Sequence, residues 1–340
     1  MRAIALDFNS RTPAEICVES PAALGPGEVL FRVAACGVCA TDRELARFHF
    51  GAPPTGETKL VLGHEALGEV VSTGAGVTRF SPGDLVVPMI RRACPTICPA
   101  CAARRFDLCA TGNFLERGIL RAHGYFTEFA VDPAEHLVAI PRSLGETAIL
   151  AEPLSVVEKA IATALAAHPF YPRTALVTGC GPVGLLTAFA LLARGFEVEI
   201  ASLEAADEPR PAIAVRAGAH YLRLPDSPSL ADLVFEASSH PDAAALGLSR
   251  LRAGGVLVFI GASDTTIPLT SMQALRRNLT VAAIVNAAEI HFQAALHDLA
   301  RFPRTWLDGF IDRRPFDSWR ESLALAPAAP KLVHMMGVFE

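Results

Sequence analysis

The stretch TALVTGCGPVGLLTAFALLARG, residues 174 to 195, constrains this chain more than any other. A short apolar run ends at Gly179, Gly181 and Gly184 complete a G-x-G-x-x-G pattern, and a second apolar run opens at Pro182 and Val183. The whole is almost free of charge, yet three glycines and a proline interrupt it, whereas a membrane span takes about 20 predominantly apolar residues. A strand turning into a buried helix is the better expectation. There the glycines permit a tight turn and close approach of backbone to a pyrophosphate, and the helix N-terminus faces the phosphates.

The surroundings agree. From Thr174 to about Asn286, apolar runs alternate with helical stretches: EVEIASL then PAIAVRAG, ADLVFEAS then PDAAALGLSRLRAG, GVLVFIGA then SMQALRRN, and LTVAAIVN. Short strands separated by helices imply an α/β fold of the Rossmann type, a doubly wound parallel sheet with right-handed crossovers. Glu204 falls at the end of the second strand, about 20 residues past the glycine turn. There an acid accepts hydrogen bonds from the adenine ribose hydroxyls and repels a 2′-phosphate, so NAD is favoured over NADP.

Up to about residue 155 the texture differs. Short alternating runs such as EVLFRVAACG, LVLGHEALGEVV, GDLVVPMI, YFTEFAVD and HLVAIP, separated by Gly, Pro, Ser and Asp, predict a β-rich domain. No repeat of 20 to 50 residues is visible. A length of 340 residues suits two domains large enough to bury cores without disulfides. The first residues lack a basic segment followed by an uninterrupted apolar run, so a cytoplasmic protein is expected. The net charge of −5 leaves no basic footprint for nucleic acid, and a small-molecule partner is the default.

In that compartment clustered cysteines are more often metal ligands or catalytic groups than disulfides. The eight cysteines include four, Cys94, Cys98, Cys101 and Cys109, within RRACPTICPACAARRFDLC. Elsewhere GVCATD supplies Cys39, Thr41 and Asp42, LGHEALG supplies His64 and Glu65, and AEPLS supplies Glu152. A catalytic zinc takes about three ligands drawn from Cys, His and carboxylate and keeps one position open. Cys39, His64 and either Glu65 or Glu152 meet that need, although each taken alone reads better as ordinary packing or a solvated carboxylate. Cys36 and Cys39 spell C-x-x-C, but a redox dithiol is expected at a helix N-terminus inside a βαβ unit. Cys36, Cys17 and Cys180 are therefore expected to be packed.

Together, GVCATD, GHEALGEVV, GDLVV, the cysteine lobe, GYFTEFA and TGCGPVGLL resemble, in order and across nearly the whole chain, the zinc-containing medium-chain alcohol and polyol dehydrogenases. FLERGI, AHGYFTEF, AEPLSVVEKAI and VNAAEIHFQAA resemble the glucose dehydrogenase branch. The resemblance implies a GroES-like catalytic domain over 1–157, a Rossmann domain over 158–286, and a return to the catalytic domain over 287–340. It implies catalytic zinc ligation by Cys39 and His64, with Glu152 as a direct or water-mediated ligand and Glu65 able to approach or exchange. Thr41 would take the substrate's proton, and Asp42 would orient His64. Glu116 and Asn286 would meet substrate hydroxyls, Asn286 also lying near the nicotinamide.

The cysteine lobe would hold a structural zinc through Cys98, Cys101 and Cys109 in C-x2-C-x7-C spacing. Cys94 departs from the pattern by one residue, since CPTIC inserts three where the family has two, so either four cysteines or three plus another ligand hold the ion. The branch also tends to carry Asn or Arg after the second Rossmann strand for NADP, where this chain has Leu203 and Glu204. A sugar-binding position two residues beyond Pro153 is occupied by Ser155 or Val156. The implied reaction is hydride transfer from a sugar hydroxyl to NAD(P), an aldose 1-dehydrogenase giving a lactone. A polyol or secondary-alcohol dehydrogenase is the alternative, and a catalytically silent zinc- and NAD-binding module a further one. A homodimer or homotetramer joined through the last Rossmann strand is expected.

Overall fold

The computed structural model describes all residues except 22, 227, 262–265, 267, 268, 326 and 337–340. The strands between residues 174 and 283 form one parallel sheet. Its spatial order is His220–Arg223, Glu197–Ser202, Thr174–Thr178, Ala231–Glu236, Leu251–Phe259, Thr280–Ala283. This is the doubly wound order, with its switch point beside Thr174–Thr178. The apolar stretch 174 to 195 divides into that strand and the helix Pro182–Ala193, and no helix of the described residues is long and apolar enough to cross a membrane.

Two details differ from the sequence reading. The edge strand His220–Arg223 has no apolar run to announce it, because none of its four residues is buried. The helix expected to run through residue 254 stops at Arg250, and the next strand starts at Leu251, opposite Ala231, with a register irregularity before Leu233 pairs with Val256.

The first half is β-rich, as its alternation predicts. The long strand Glu28–Val38 runs antiparallel to Glu65–Thr73, Phe129–Pro133 and Lys331–Met335, so a strand from the end of the described chain completes a sheet begun near its start. Leu85–Pro88 and Leu137–Ile140 extend that sheet on one side, and Ile311–Pro315 on the other.

Between the sheets lies the helix Ala151–Ala167, which crosses the expected junction at 157/158. It packs on the helices Pro182–Ala193 and Glu289–Arg301. Leu154, Val157 and Ile161 are 0 to 1% exposed and belong to one core that also contains Leu67 and Val87 of the first sheet and Val177 and Phe235 of the second. Each such side chain contributes about 1.5–3 kcal/mol on burial. The helix therefore joins the two units through shared apolar surface.

Candidate active site and metal centres

The segment after Glu28–Val38 turns straight into the short helix Ala40–Ala46, with Cys39 as its N-cap. Cys39 Sγ accepts the Thr41 backbone N–H at 3.2 Å, and Asp42 Oδ2 accepts the Cys39 N–H at 2.9 Å. The other oxygen of Asp42 lies 3.2 Å from His64 Nδ1. One carboxylate thus fixes both the backbone of Cys39 and the ring of His64, the role that a carboxylate behind a ligand histidine plays in metal sites.

His64 Nε2 lies 3.2 Å from Cys39 Sγ, and one ligand atom each from Cys39, His64 and Glu65 all fall within 4.8 Å of one another. The set of thiol, imidazole and carboxylate suits zinc with a position left open, so the residues fit the metal. Burial disfavours charge on His64, yet the negative charge of Asp42 and then Cys39 holds its pKa well above the ordinary value. His64 follows Gly63, whose φ of +92° and tight surroundings, Phe126 N at 2.6 Å and Cys36 Sγ at 2.7 Å from any Cβ, require glycine.

Glu65 begins the strand Glu65–Thr73 opposite Gly37 and forms an ion pair with Lys331, a lysine 1% exposed. Lys331 also donates to the Val38 carbonyl at 3.4 Å. A Cβ on Gly37 would stand 2.9 Å from Lys331 Cε, so glycine leaves the room this pair occupies. Glu152, in the first turn of Ala151–Ala167, stands outside the three-residue group but within its electrostatic reach. Burial, then the Glu65 carboxylate, pushes it up to about 7. Ser155, buried one turn on, donates to the Glu152 carbonyl at 2.6 Å.

The four cysteines of the lobe, Cys94 included, bring their sulfurs within 4.8 Å of one another. The extra residue in CPTIC is absorbed by a turn in which Ile97 takes φ of +46° and donates to the Cys94 carbonyl at 2.9 Å. Cys98 N donates to Cys94 Sγ at 3.3 Å and Ala110 N to Cys98 Sγ at 3.4 Å, bonds that favour thiolates. Cys94 is accordingly lowered to about 5, by the Thr111 hydroxyl first and then the Cys98 N–H. A closed four-sulfur set fits a structural zinc. Cys36 and Cys180 are buried as expected, whereas Cys17 is exposed at the end of the solvent-facing strand Thr12–Cys17. All eight cysteines are free thiols.

Glu116 and Asn286, 170 residues apart, meet: Asn286 Nδ2 donates to Glu116 Oε1 at 2.6 Å. Arg91, the cross-strand neighbour of Glu116, donates to the same oxygen through Nε at 3.1 Å and Nη2 at 2.9 Å. In the parallel sheet Gly179 takes φ of +99° with Ser238 N 2.8 Å from any Cβ, while a Cβ on Gly181 would meet nothing within 4 Å. Gly181 caps the helix Pro182–Ala193 without a side-chain bond, which leaves its first N–H groups open to a phosphate. Glu204 follows the strand Glu197–Ser202. Its Oε1 lies 3.2 Å from Arg210 Nη1, its Oε2 accepts from Ser202 Oγ at 3.3 Å, and Tyr221 OH donates to its carbonyl at 2.6 Å.

Lys331, Arg91 and the pairing of Arg210 with Glu204 escaped the sequence reading. Lys331 sits in an apolar strand with its partner 266 positions away, and Arg91 and Arg210 look like solvated bases in RRAC and DEPR.

Comparison with known proteins agrees with these features. Residues 25–142 match the alcohol dehydrogenase GroES-like domain, and residues 145–325 match the glucose dehydrogenase C-terminus. The chain is 38% identical over 303 residues to a glucose 1-dehydrogenase of Thermoproteus tenax, covering 85% of this chain and 84% of that one. To a glucose 1-dehydrogenase of Methanocella arvoryzae it is 34% identical over 306 residues, 85% of each. Among solved structures, Haloferax mediterranei glucose dehydrogenase in complex with NADP, Zn and gluconolactone superposes with a TM-score of 0.91. It is 29% identical and covers 99% of this chain and 100% of that one. The chain belongs to the glucose dehydrogenase branch of the zinc-containing medium-chain dehydrogenases.

Proposed function

We propose that the protein oxidises an aldose at its anomeric carbon to the lactone, passing hydride to a nicotinamide dinucleotide. The observation that carries this reading is the convergence of Cys39, His64 and Glu65 in a chain whose second unit presents the open Gly181 turn. The names of its relatives, and the gluconolactone in the Haloferax complex, support glucose or a close relative of it as the substrate.

Cys39, His64 and a glutamate would hold the catalytic zinc, Glu65 in the geometry seen here and Glu152 as the carboxylate able to exchange with it. Such an ion supplies Lewis acidity towards the substrate hydroxyl. Thr41, two residues beyond Cys39, takes the hydroxyl proton and hands it towards solvent. Asp42 keeps His64 in one orientation. Glu116 and Asn286 accept and donate to sugar hydroxyls, and their mutual hydrogen bond holds both in place before the sugar arrives. Ser155 is satisfied inside its own helix, so recognition falls to Glu116 and Asn286.

Gly179, Gly181 and Gly184, with Pro182 and Val183, would seat the pyrophosphate. NAD is favoured, because Glu204 offers its carboxylate at the end of the second strand. The cysteine lobe would hold the structural zinc through Cys94, Cys98, Cys101 and Cys109. Thr280–Ala283, an edge strand with Val281 and the nearby Leu275 and Val285 exposed, would pair with a second copy. We divide the chain at 157 and 286 into a catalytic unit, a dinucleotide-binding unit and a return to the first, with the helix Ala151–Ala167 shared between them.

The test is an absorbance screen of aldoses and polyols with NAD and NADP side by side on zinc-loaded protein. Oxidation of glucose-type aldoses is the expected outcome. Activity confined to polyols would favour the alcohol dehydrogenase alternative, and none with any hydroxyl substrate despite bound zinc would favour a silent module.

A further inference from the structure

Behind Glu116 and Asn286 runs a closed ring of polar contacts between side chains and backbone. Lys159, on the helix Ala151–Ala167, has its ammonium 2.8 Å from Asp107 Oδ2 and donates to the Val285 carbonyl at 3.1 Å. Asp107 lies inside the cysteine lobe between Cys101 and Cys109, is 4% exposed, and accepts a forked pair of bonds from Arg105, 2.9 Å each. Its carbonyl accepts from Arg91 Nη1 at 3.1 Å, Arg91 grips Glu116, and Glu116 accepts from Asn286, the residue after Val285. The ring thus passes through the lobe, the strand pair of Arg91 and Glu116, the loop of Asn286 and the shared helix.

Two features argue that Lys159 does more than fill space. A lysine whose side chain is 8% exposed is retained only where its charge and donors are used, and here they are spent on one carboxylate and one carbonyl. That carbonyl belongs to the peptide leading into Asn286, which takes φ of 55°, a left-handed conformation that asparagine adopts more readily than most residues and that the Lys159 bond to the preceding carbonyl helps to hold.

We propose that Lys159 is a positioning residue. By holding the Val285 carbonyl against Asp107 it sets the height and backbone conformation of Asn286, and so the pairing with Glu116 that receives the sugar. This rests on the reading that Glu116 and Asn286 contact the sugar. It adds that sugar affinity depends on a contact anchored in the cysteine lobe.

Lys159→Met keeps the apolar stem, removes the donors, and leaves Asp107 paired with Arg105. In zinc-loaded enzyme the expected result is a rise of about tenfold in KM for the sugar, with kcat and KM for the dinucleotide changed less than about twofold. Lys159→Arg should recover most of the loss. In an Asn286→Ala background, Lys159→Met should add less than about twofold, because its effect runs through Asn286. Lys159→Gln, shorter but still able to pack, is read by the same assays if the Met variant folds poorly.

The proposal is overturned if sugar KM is unmoved by Lys159→Met while Glu116→Gln raises it, or if the Lys159 effect persists in full without Asn286. If Glu116→Gln and Asn286→Ala both leave sugar KM unchanged, the sugar-contact reading itself falls, and this one with it.

Discussion

Lys331 and Glu65 form a buried ion pair at the edge of the cluster of Cys39, His64 and Glu65, one from a strand near the end of the described chain and the other next to His64. Both side chains are at most 3% exposed, so the pair owes its stability to mutual neutralisation. In metal-free protein Lys331→Met should cost about 3–5 kcal/mol of stability, since it leaves a carboxylate buried without its cation. Adding Glu65→Gln should recover a large part of that. Denaturant unfolding of the single and double variants measures both, and additive losses would argue against the pair as a unit.

The lobe and the catalytic cluster should be separable by metal content. Two zinc ions per chain are expected, falling to one in Cys98→Ser, with some activity retained and a lower unfolding midpoint, because the lobe contributes folding energy and no open coordination position. Elemental analysis of the purified proteins reads this directly. A parent protein holding one zinc would contradict the division.

Glu204 and Arg210 stand 3.2 Å apart where the adenine ribose is expected. Glu204→Gln removes the charge that repels a 2′-phosphate and frees Arg210 to meet it. The ratio of kcat/KM for NADP to that for NAD should rise by about tenfold or more. An unchanged ratio would show that the dinucleotide is chosen elsewhere.

His136 should tilt stability against acid. It packs its ring 5.0 Å from Phe106, and burial, then the charge of Arg92, lowers its pKa from 6.5 to about 3. Because the folded value lies below the unfolded one, only the unfolded chain takes up this proton between about pH 6.5 and 3. Stability is therefore present above 6.5 and is lost as the pH falls towards 3, at up to about 1.4 kcal/mol per pH unit. His136→Phe should lessen the slope of unfolding free energy between pH 6.5 and 5.

Much of this was legible in the sequence because local chemistry wrote it there. The glycine turn, the alternation of strand and helix, and GVCATD each carry their meaning within a few residues. The helix Ala151–Ala167 was hidden because it is buried on most sides, Glu152, Glu158 and Lys159 included, and bridges two units, which blurs the amphipathic stripe that marks a surface helix. Lys331, Lys159 and Arg91 were hidden for another reason. A charged side chain declares itself buried only when its partner is known, and those partners lie 266, 52 and 25 positions away. Cys94 was ambiguous in spacing, and only the fold shows that the turn at Ile97 brings its sulfur near the other three.

The strand Lys331–Met335 has a further consequence. It lies against the C-terminal end of Glu28–Val38, between that strand and Ile311–Pro315. During synthesis, then, the parallel sheet can close as soon as residue 283 is free, while the first sheet waits with an unpaired edge for some 50 residues more. Until then Glu65 also lacks Lys331. The cluster of Cys39, His64 and Glu65 should thus mature after the parallel sheet does, and early loss of nascent chains should fall there first.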